Sequence, residues 1–290
     1  MDTGRRQNSR SPRRRRLGQH FLTRRTALQR VLGAIAPSAG ESFLEVGPGA
    51  GALTFPLLRA GAGVLAVELD PRLASQLRER AMPFGSLSVV EGDVLEVDLR
   101  GLLGSRFPGV AAVRAVGNLP YSIASPAIRR LLSLSDLFSD WTLMTQREVA
   151  ERILAAPGSR LFGVLTLLCA SRAVPRRLLD LSPSCFSPPP KVHSTLLRFT
   201  PRPSPFFSDT EELSFQHLVK AAFSSRRKMI RNTLSAGLAL DVDQVEAALG
   251  ASGISPRDRP ERIPLEGFVE LTRRLGPLPL RGDASEGDFL

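Results

Sequence analysis

The run Gly117-Asn118-Leu119-Pro120-Tyr121 offers an amide side chain, a stiff turn and an aromatic ring in close succession. A planar base with an exocyclic amino group needs that combination: acceptors for the amino hydrogens and a face to stack on. Alone, the run also reads as an ordinary turn, because Asn and Pro favour turns. The segments ahead of it decide between the two readings.

Phe43-Leu44-Glu45-Val46 is a short apolar run of strand character, followed at once by Gly47-Pro48-Gly49-Ala50-Gly51 and then by the helix-like Leu53, Phe55, Leu57 and Leu58. Strand, glycine loop and helix in that order let a backbone approach a ligand closely. The spacing is G-x-G-x-G rather than the dinucleotide G-x-G-x-x-G, which points away from a nicotinamide cofactor and towards S-adenosylmethionine. A second run, Val64-Leu65-Ala66-Val67, ends in Glu68, about 20 positions past the glycine loop, where a carboxylate accepts from ribose hydroxyls. A third, Leu87-Ser88-Val89-Val90, leads to Gly92-Asp93, whose carboxylate is placed to accept from an adenine amino group. A fourth, Ala112 to Val116, delivers the Gly117 to Tyr121 segment. In an open parallel sheet, ligands bind outside the carboxyl ends of the strands, so all four loops are expected to face one crevice. Each loop has a plainer reading by itself, as a structural turn or a surface carboxylate. Their order argues for the joint one.

Five motifs, spread from about residue 17 to about residue 275, resemble those of the KsgA/RsmA ribosomal RNA adenine dimethyltransferases. They are Leu17-Gly18-Gln19-His20-Phe21-Leu22, Glu45 to Thr54, Gly117 to Tyr121, Phe186-Ser187-Pro188-Pro189-Pro190-Lys191-Val192, and Ala222 to Asn232. The resemblance implies a Rossmann-like class I S-adenosylmethionine-dependent methyltransferase fold, an α/β architecture, with a small all-helical C-terminal domain. It implies cofactor contacts at His20, Leu22, Gly47, Glu68, Asp93 and Asn118. The family often has Asn where this chain has His20, and Asp where His193 precedes Ser194.

The implied chemistry is methyl transfer to N6 of adenine. Asn118 Oδ1 and the Leu119 carbonyl would accept the two amino hydrogens, with Pro120 stiffening the turn. Tyr121 would stack on one face of the base and Phe186 on the other. No metal and no covalent intermediate are expected. The implied substrate is a pair of adjacent adenosines in a loop near the 3′ end of 16S ribosomal RNA, within the small subunit or its precursor, with a role in ribosome biogenesis. Two alternatives stand beside it: an Erm-type 23S ribosomal RNA adenine methyltransferase, and a non-catalytic nucleic-acid binder like the mitochondrial transcription factor B relatives. The intact glycine loop, Glu68, Asp93 and Asn118 argue against the second.

Composition suits a polyanionic partner: the formal charge is +11 and the pI about 11.1. One basic cluster, Arg5 to Arg16, is expected to be a disordered arm over residues 1–16. Another, Arg226, Arg227, Lys228 and Arg231, reads as the basic face of a helix that binds RNA phosphates.

The elements that must hold these groups follow from periodicity. Leu28, Val31, Leu32 and Ile35 share one helical face, as do Ile123, Ala127, Ile128, Leu131 and Leu132. Pro71 after Asp70 and Pro126 after Ser125 look like capped helix starts. Trp141 and Phe138 are expected to pack a fifth strand, Glu148 to sit on a solvated helix face, and Ser194 to Phe199 to form the last strand. Alternating strands and helices imply a mainly parallel sheet flanked by helices.

The expected organisation is a methyltransferase domain over 17–200, a helical RNA-binding domain over 201–276 opening with a Pro-rich linker (200–205), and a loose tail over 277–290. Its helices are expected at 213–223, 228–234, 242–249 and 265–275. Cys169 and Cys185 give no disulfide framework and no zinc spacing, and Cys169 is expected to be a buried thiol. No apolar run is long enough to span a membrane and no secretory segment follows the arginines. A monomeric cytoplasmic protein is expected.

Overall fold

The structure, a computed structural model, describes residues 19–204 and 206–278. The basic arm, Leu17 and Gly18 of the first motif, Pro205 of the linker and residues 279–290 of the tail lie outside the described residues.

The main sheet contains β2 (Ser42–Val46), β3 (Gly63–Glu68), β4 (Leu87–Glu91), β5 (Val113–Asn118), β6 (Phe138–Gln146), β7 (Ala173–Leu181) and β9 (Ser194–Pro201), in the order β4-β3-β2-β5-β6-β9-β7. The first five strands of that order are parallel; β9 runs antiparallel to β6 and β7 antiparallel to β9. A small second sheet pairs β1 (Phe21–Leu22) with β8 (Phe186–Ser187). The chain order reverses between β2 and β5, where Val46 stands beside Gly117. That switch point opens a crevice at the strands' carboxyl ends.

The strands read as continuous apolar runs because helices cover both faces. Alternation divides each strand between two cores. Phe43, Val64, Ala66 and Val116 pack with helices Arg25–Ile35, Thr54–Arg59 and Pro71–Ala81. Leu44, Leu65, Ala115 and the fully buried Trp141 pack with Leu99–Arg106, Ala124–Ser133 and Arg147–Ile153. Asp70 caps Pro71–Ala81 by accepting from Arg72 N, as expected. Ala124–Ser133 starts earlier than Ser125-Pro126 suggested. Its cap position is Ile123, and Pro126 falls in the first turn, where its missing N–H costs no hydrogen bond.

Helices Asp209–Phe223, Ile230–Leu238, Val242–Ala251 and Leu265–Leu275 gather around Phe215, Leu234, Leu249 and Phe268. The helix Val164–Arg172 belongs to both cores: Leu165 and the buried Cys169 face the sheet, whereas Leu167 and Leu168 face the C-terminal helices. Arg172 also pairs with the buried Glu212 at 3.3 Å. The linker is tied down as well. Its Thr200 and Pro201 belong to β9, and Arg202 donates through N and Nε to the carbonyls of Arg172 and Ala170.

The Arg226 to Arg231 segment is not one basic helix. The preceding helix ends at Phe223, where Ser224 turns its hydroxyl back onto Ala221 O at 2.8 Å. Met229 is extended, and the next helix starts at Ile230. Side-chain hydroxyls that compete for backbone carbonyls favour such ends, and three adjacent cations gain nothing from helical stacking. Arg226, Arg227 and Lys228 are therefore displayed on an exposed turn.

Candidate active site

The carboxyl ends of β2, β3 and β5, the loop after β4 and the first motif converge on one cleft. It encloses about 1040 Å³ counting its open mouth. His20, Leu22, Gly47, Glu68, Asp93, Asn118, Leu119, Pro120 and Tyr121 all line it. The structure thus brings together nine of the residues expected from sequence.

The glycine loop has the backbone only glycine adopts freely: Gly47, Gly49 and Gly51 have φ of 65°, 56° and 85°. A Cβ on Gly49 would stand 2.7 Å from the Phe21 ring, so that ring lies directly over the loop. Glu68 is 3% exposed and holds the loop in place: Oε2 accepts from Gly49 N and Oε1 from Asp70 N, both at 2.9 Å. The carboxylate keeps a lone pair for a hydroxyl donor. Burial pushes the Glu68 pKa up, and those two backbone donors oppose the rise. Asp93 accepts from Leu95 N at 2.9 Å, which fixes its turn.

Glu45 also lines the cleft. It is buried, accepts from Thr54 Oγ1 at 2.6 Å, and is raised by burial to a pKa of about 7. Its place at the end of an apolar strand was the available signal, since a carboxylate in a buried strand needs a reason. Two buried carboxylates beside a glycine loop suit a cationic nucleoside such as a sulfonium donor and repel a pyrophosphate. The residues present therefore fit S-adenosylmethionine.

Asn118 ends β5 and donates Nδ2 to the His20 carbonyl at 2.8 Å, which leaves Oδ1 as its acceptor. Leu119 is buried and its N–H donates to Met144 O at 3.3 Å; Pro120 O accepts from Ile123 N at 3.0 Å. The half-buried Tyr121 places its hydroxyl 2.9 Å from Ser194 Oγ. Burial pushes the phenol pKa up, and the Ser194 hydrogen bond opposes this. The His20 ring bonds Pro188 O through Nδ1 at 2.7 Å, so Nδ1 carries the proton, and it sits 5.2 Å from the Tyr121 ring. Sequence reasoning missed Ser194 and Thr54, whose partners are distant along the chain or plain in type.

Phe186 is not in the cleft. It is 5% exposed and packs into the core beside Leu22, its partner in the β1–β8 pair. Strand alternation turns Phe186 inwards and Ser187 outwards. The ring against Tyr121 is that of His20. The basic turn also lies outside the cleft. Arg226 donates to Arg160 O at 2.7 Å, and Arg231 pairs with Glu246. Among the described residues no group of three His, Cys, Asp or Glu is placed to hold a metal, and no helix is long and apolar enough to cross a membrane.

The sequence model of the family described as ribosomal RNA adenine dimethylase matches residues 10–275. Ribosomal RNA small subunit methyltransferase A of Bordetella petrii is 41% identical over 267 residues, 92% of this chain and 97% of that protein. The protein of the same name from Geobacter sulfurreducens is 41% identical over 263 residues, 90% of this chain and 95% of that one. Among solved structures, a dimethyladenosine transferase from Plasmodium falciparum aligns with a TM-score of 0.70 at 26% identity, over 87% of this chain and 96% of that one. The 23S rRNA methyltransferase ErmE aligns with a TM-score of 0.66 at 26% identity, over 88% and 99%. The family match spans both the crevice and the C-terminal helices, and the chain belongs to the ribosomal RNA adenine dimethylase family.

Proposed function

We propose that this protein dimethylates N6 of two adjacent adenosines in a loop near the 3′ end of 16S ribosomal RNA, acting as a cytoplasmic monomer on the small subunit or its precursor during ribosome biogenesis. Residues 17–200 would carry the chemistry and 201–276 the RNA contacts. The observation that carries this reading is the fixed amide of Asn118, whose free acceptor shares one cleft with the glycine loop.

S-adenosylmethionine, the cofactor of this family, supplies an already activated methyl group when bound. His20, Leu22, Gly47, Glu68, Asp93 and Asn118 would hold it. The remaining difficulty is the nucleophile, because the amino lone pair of adenine is delocalised into the ring. Asn118 Oδ1 and the Leu119 carbonyl accept the two amino hydrogens and turn the lone pair out of the ring plane. Their positions are set before the base arrives, which is where positioning and electrostatic preorganisation act. Tyr121 stacks on the base. Each transfer releases one amino proton to solvent; the singly methylated amine keeps one hydrogen for one of the two acceptors and reacts again where the cleft has space for the first methyl. A single-stranded loop suits this site, since an unstacked base is the least costly to capture. The turn carrying Arg226, Arg227 and Lys228, with Arg231 at the next helix start, supplies cations for RNA phosphates.

The test is a methylation assay with labelled donor on immature small subunits that lack dimethyladenosine. Label is expected in N6,N6-dimethyladenosine of 16S RNA. Label confined to 23S RNA would replace this reading with the Erm-type one, which the structural likeness to ErmE keeps in view.

A further inference from the structure

Ser194 stands behind Tyr121 and is itself 1% exposed. It opens β9, where it pairs with Gln146 of β6 and Leu181 of β7. The carbonyl of its neighbour His193 accepts from Arg147 N at 2.9 Å. Strands on both sides thus hold the Ser194 backbone, and its hydroxyl is a fixed point. That hydroxyl meets the Tyr121 phenol at 2.9 Å.

The Tyr121 ring is braced a second time. The His20 ring packs against it with centroids 5.2 Å apart and planes tilted by 37°. Rings at that separation are already in contact, so no base fits between them. A base stacking on Tyr121 uses the other face. The terminal torsion of a tyrosine is broad, and a hydrogen bond at the ring's tip removes that freedom.

We infer that Ser194 is a positioning residue for the target base: its hydroxyl ties the tip of the Tyr121 ring and makes that ring a rigid stacking wall. The inference rests on the stacking role given to Tyr121 in the proposed function. Ser194 does not line the cleft and acts through Tyr121 alone.

Ser194→Ala and Tyr121→Phe test this singly and together. Each is expected to lower kcat on the RNA by about threefold to tenfold, the factor one hydrogen bond carries, with cofactor affinity unchanged. The double variant is expected to lose no more than either single one, because both remove the same bond. Tyr121 is the sole tyrosine of the chain, so tyrosinate absorbance follows its ionisation without interference from another phenol. Ser194→Ala removes the group that opposes the burial-driven rise in its pKa, and ionisation is expected at still higher pH. Losses that multiply in the double variant, or an ionisation that Ser194→Ala leaves in place, would overturn the assignment. A wild-type protein inactive on small subunits would refute the functional reading instead, and the tyrosine titration would still decide the Ser194 contact.

Discussion

Asn118 donates its side-chain amide to the main-chain carbonyl of His20 at 2.8 Å, across 98 positions of chain. The bond joins the first motif to the base motif, and it decides which end of the amide faces a substrate. Asn118→Ala is expected to lower kcat by about 10²–10³, the loss seen when one preorganised polar group is removed. Cofactor affinity should fall by no more than about tenfold, because Gly47, Glu68 and Asp93 still hold the cofactor when the Asn118 contact is lost. Asn118→Asp is expected to fail too, since a carboxylate cannot donate to His20 O. Steady-state kinetics with a separate cofactor titration checks both variants, and full turnover in either would remove Asn118 from the mechanism.

Glu45 should make the cofactor-free protein less stable as pH rises through neutrality. Its carboxyl has a pKa of about 7 in the fold, raised from an ordinary 4.5 chiefly through burial. Below the unfolded value both states hold the proton, and the group costs nothing. Between the two values the native state binds more protons than the unfolded chain, so stability falls with rising pH. The loss is complete above the folded value and amounts to about 3 kcal/mol. Glu45→Gln keeps an acceptor for Thr54 and abolishes the proton equilibrium. Urea unfolding at pH 5 and pH 8 should show the variant's advantage over wild type growing across that window. An advantage that stays constant would mean Glu45 ionises in the fold as it does in water.

How the site could be read from sequence depends on distance along the chain. Gly47, Glu68, Asp93 and Asn118 were legible because each ends an apolar run, and the ends of parallel strands share one side of a sheet. The Asn118–His20 and Tyr121–Ser194 bonds were not, because nothing local in the sequence pairs residues so far apart. The edge strand Ala173–Leu181 is hidden in the sequence because Pro175, Arg176 and Arg177 interrupt its apolar pattern, which an edge position tolerates. The basic cluster misleads for the opposite reason. Its charges invite a helical-face reading, yet the flanking serine hydroxyl and the extended Met229 set a turn.

That turn separates the arginines by role. Arg227 and Lys228 are exposed, whereas Arg231 is half-buried against Glu246. Arg227→Ala with Lys228→Ala is expected to weaken RNA binding and to flatten the slope of log K against log salt by about 1.5, roughly 0.7–0.9 per lost phosphate contact. Arg231→Ala should change the slope less and cost under about 1 kcal/mol of stability, the range for a partly exposed pair. Binding isotherms at several salt concentrations, with thermal unfolding of the same samples, separate the two effects. Equal slopes for both variants would give Arg231 as large a share in RNA binding as the turn.

Phe186 offers the sharpest separation of packing from catalysis. Its ring is 5% exposed and packs beside Leu22, on the strand that fixes the first motif. Phe186→Ala is expected to cost about 3–5 kcal/mol through the cavity it leaves. Phe186→Leu fills most of that space and removes the aromatic ring. If the ring is core alone, the Leu variant should keep kcat within about threefold of wild type while losing about 1 kcal/mol of stability. If the ring swings out to cover the base during turnover, the Leu variant should fold well and still lose kcat, because an aliphatic side chain cannot replace a stacked face. Melting temperature and turnover measured on the same preparation distinguish the two, and the buried position beside Leu22 predicts the first.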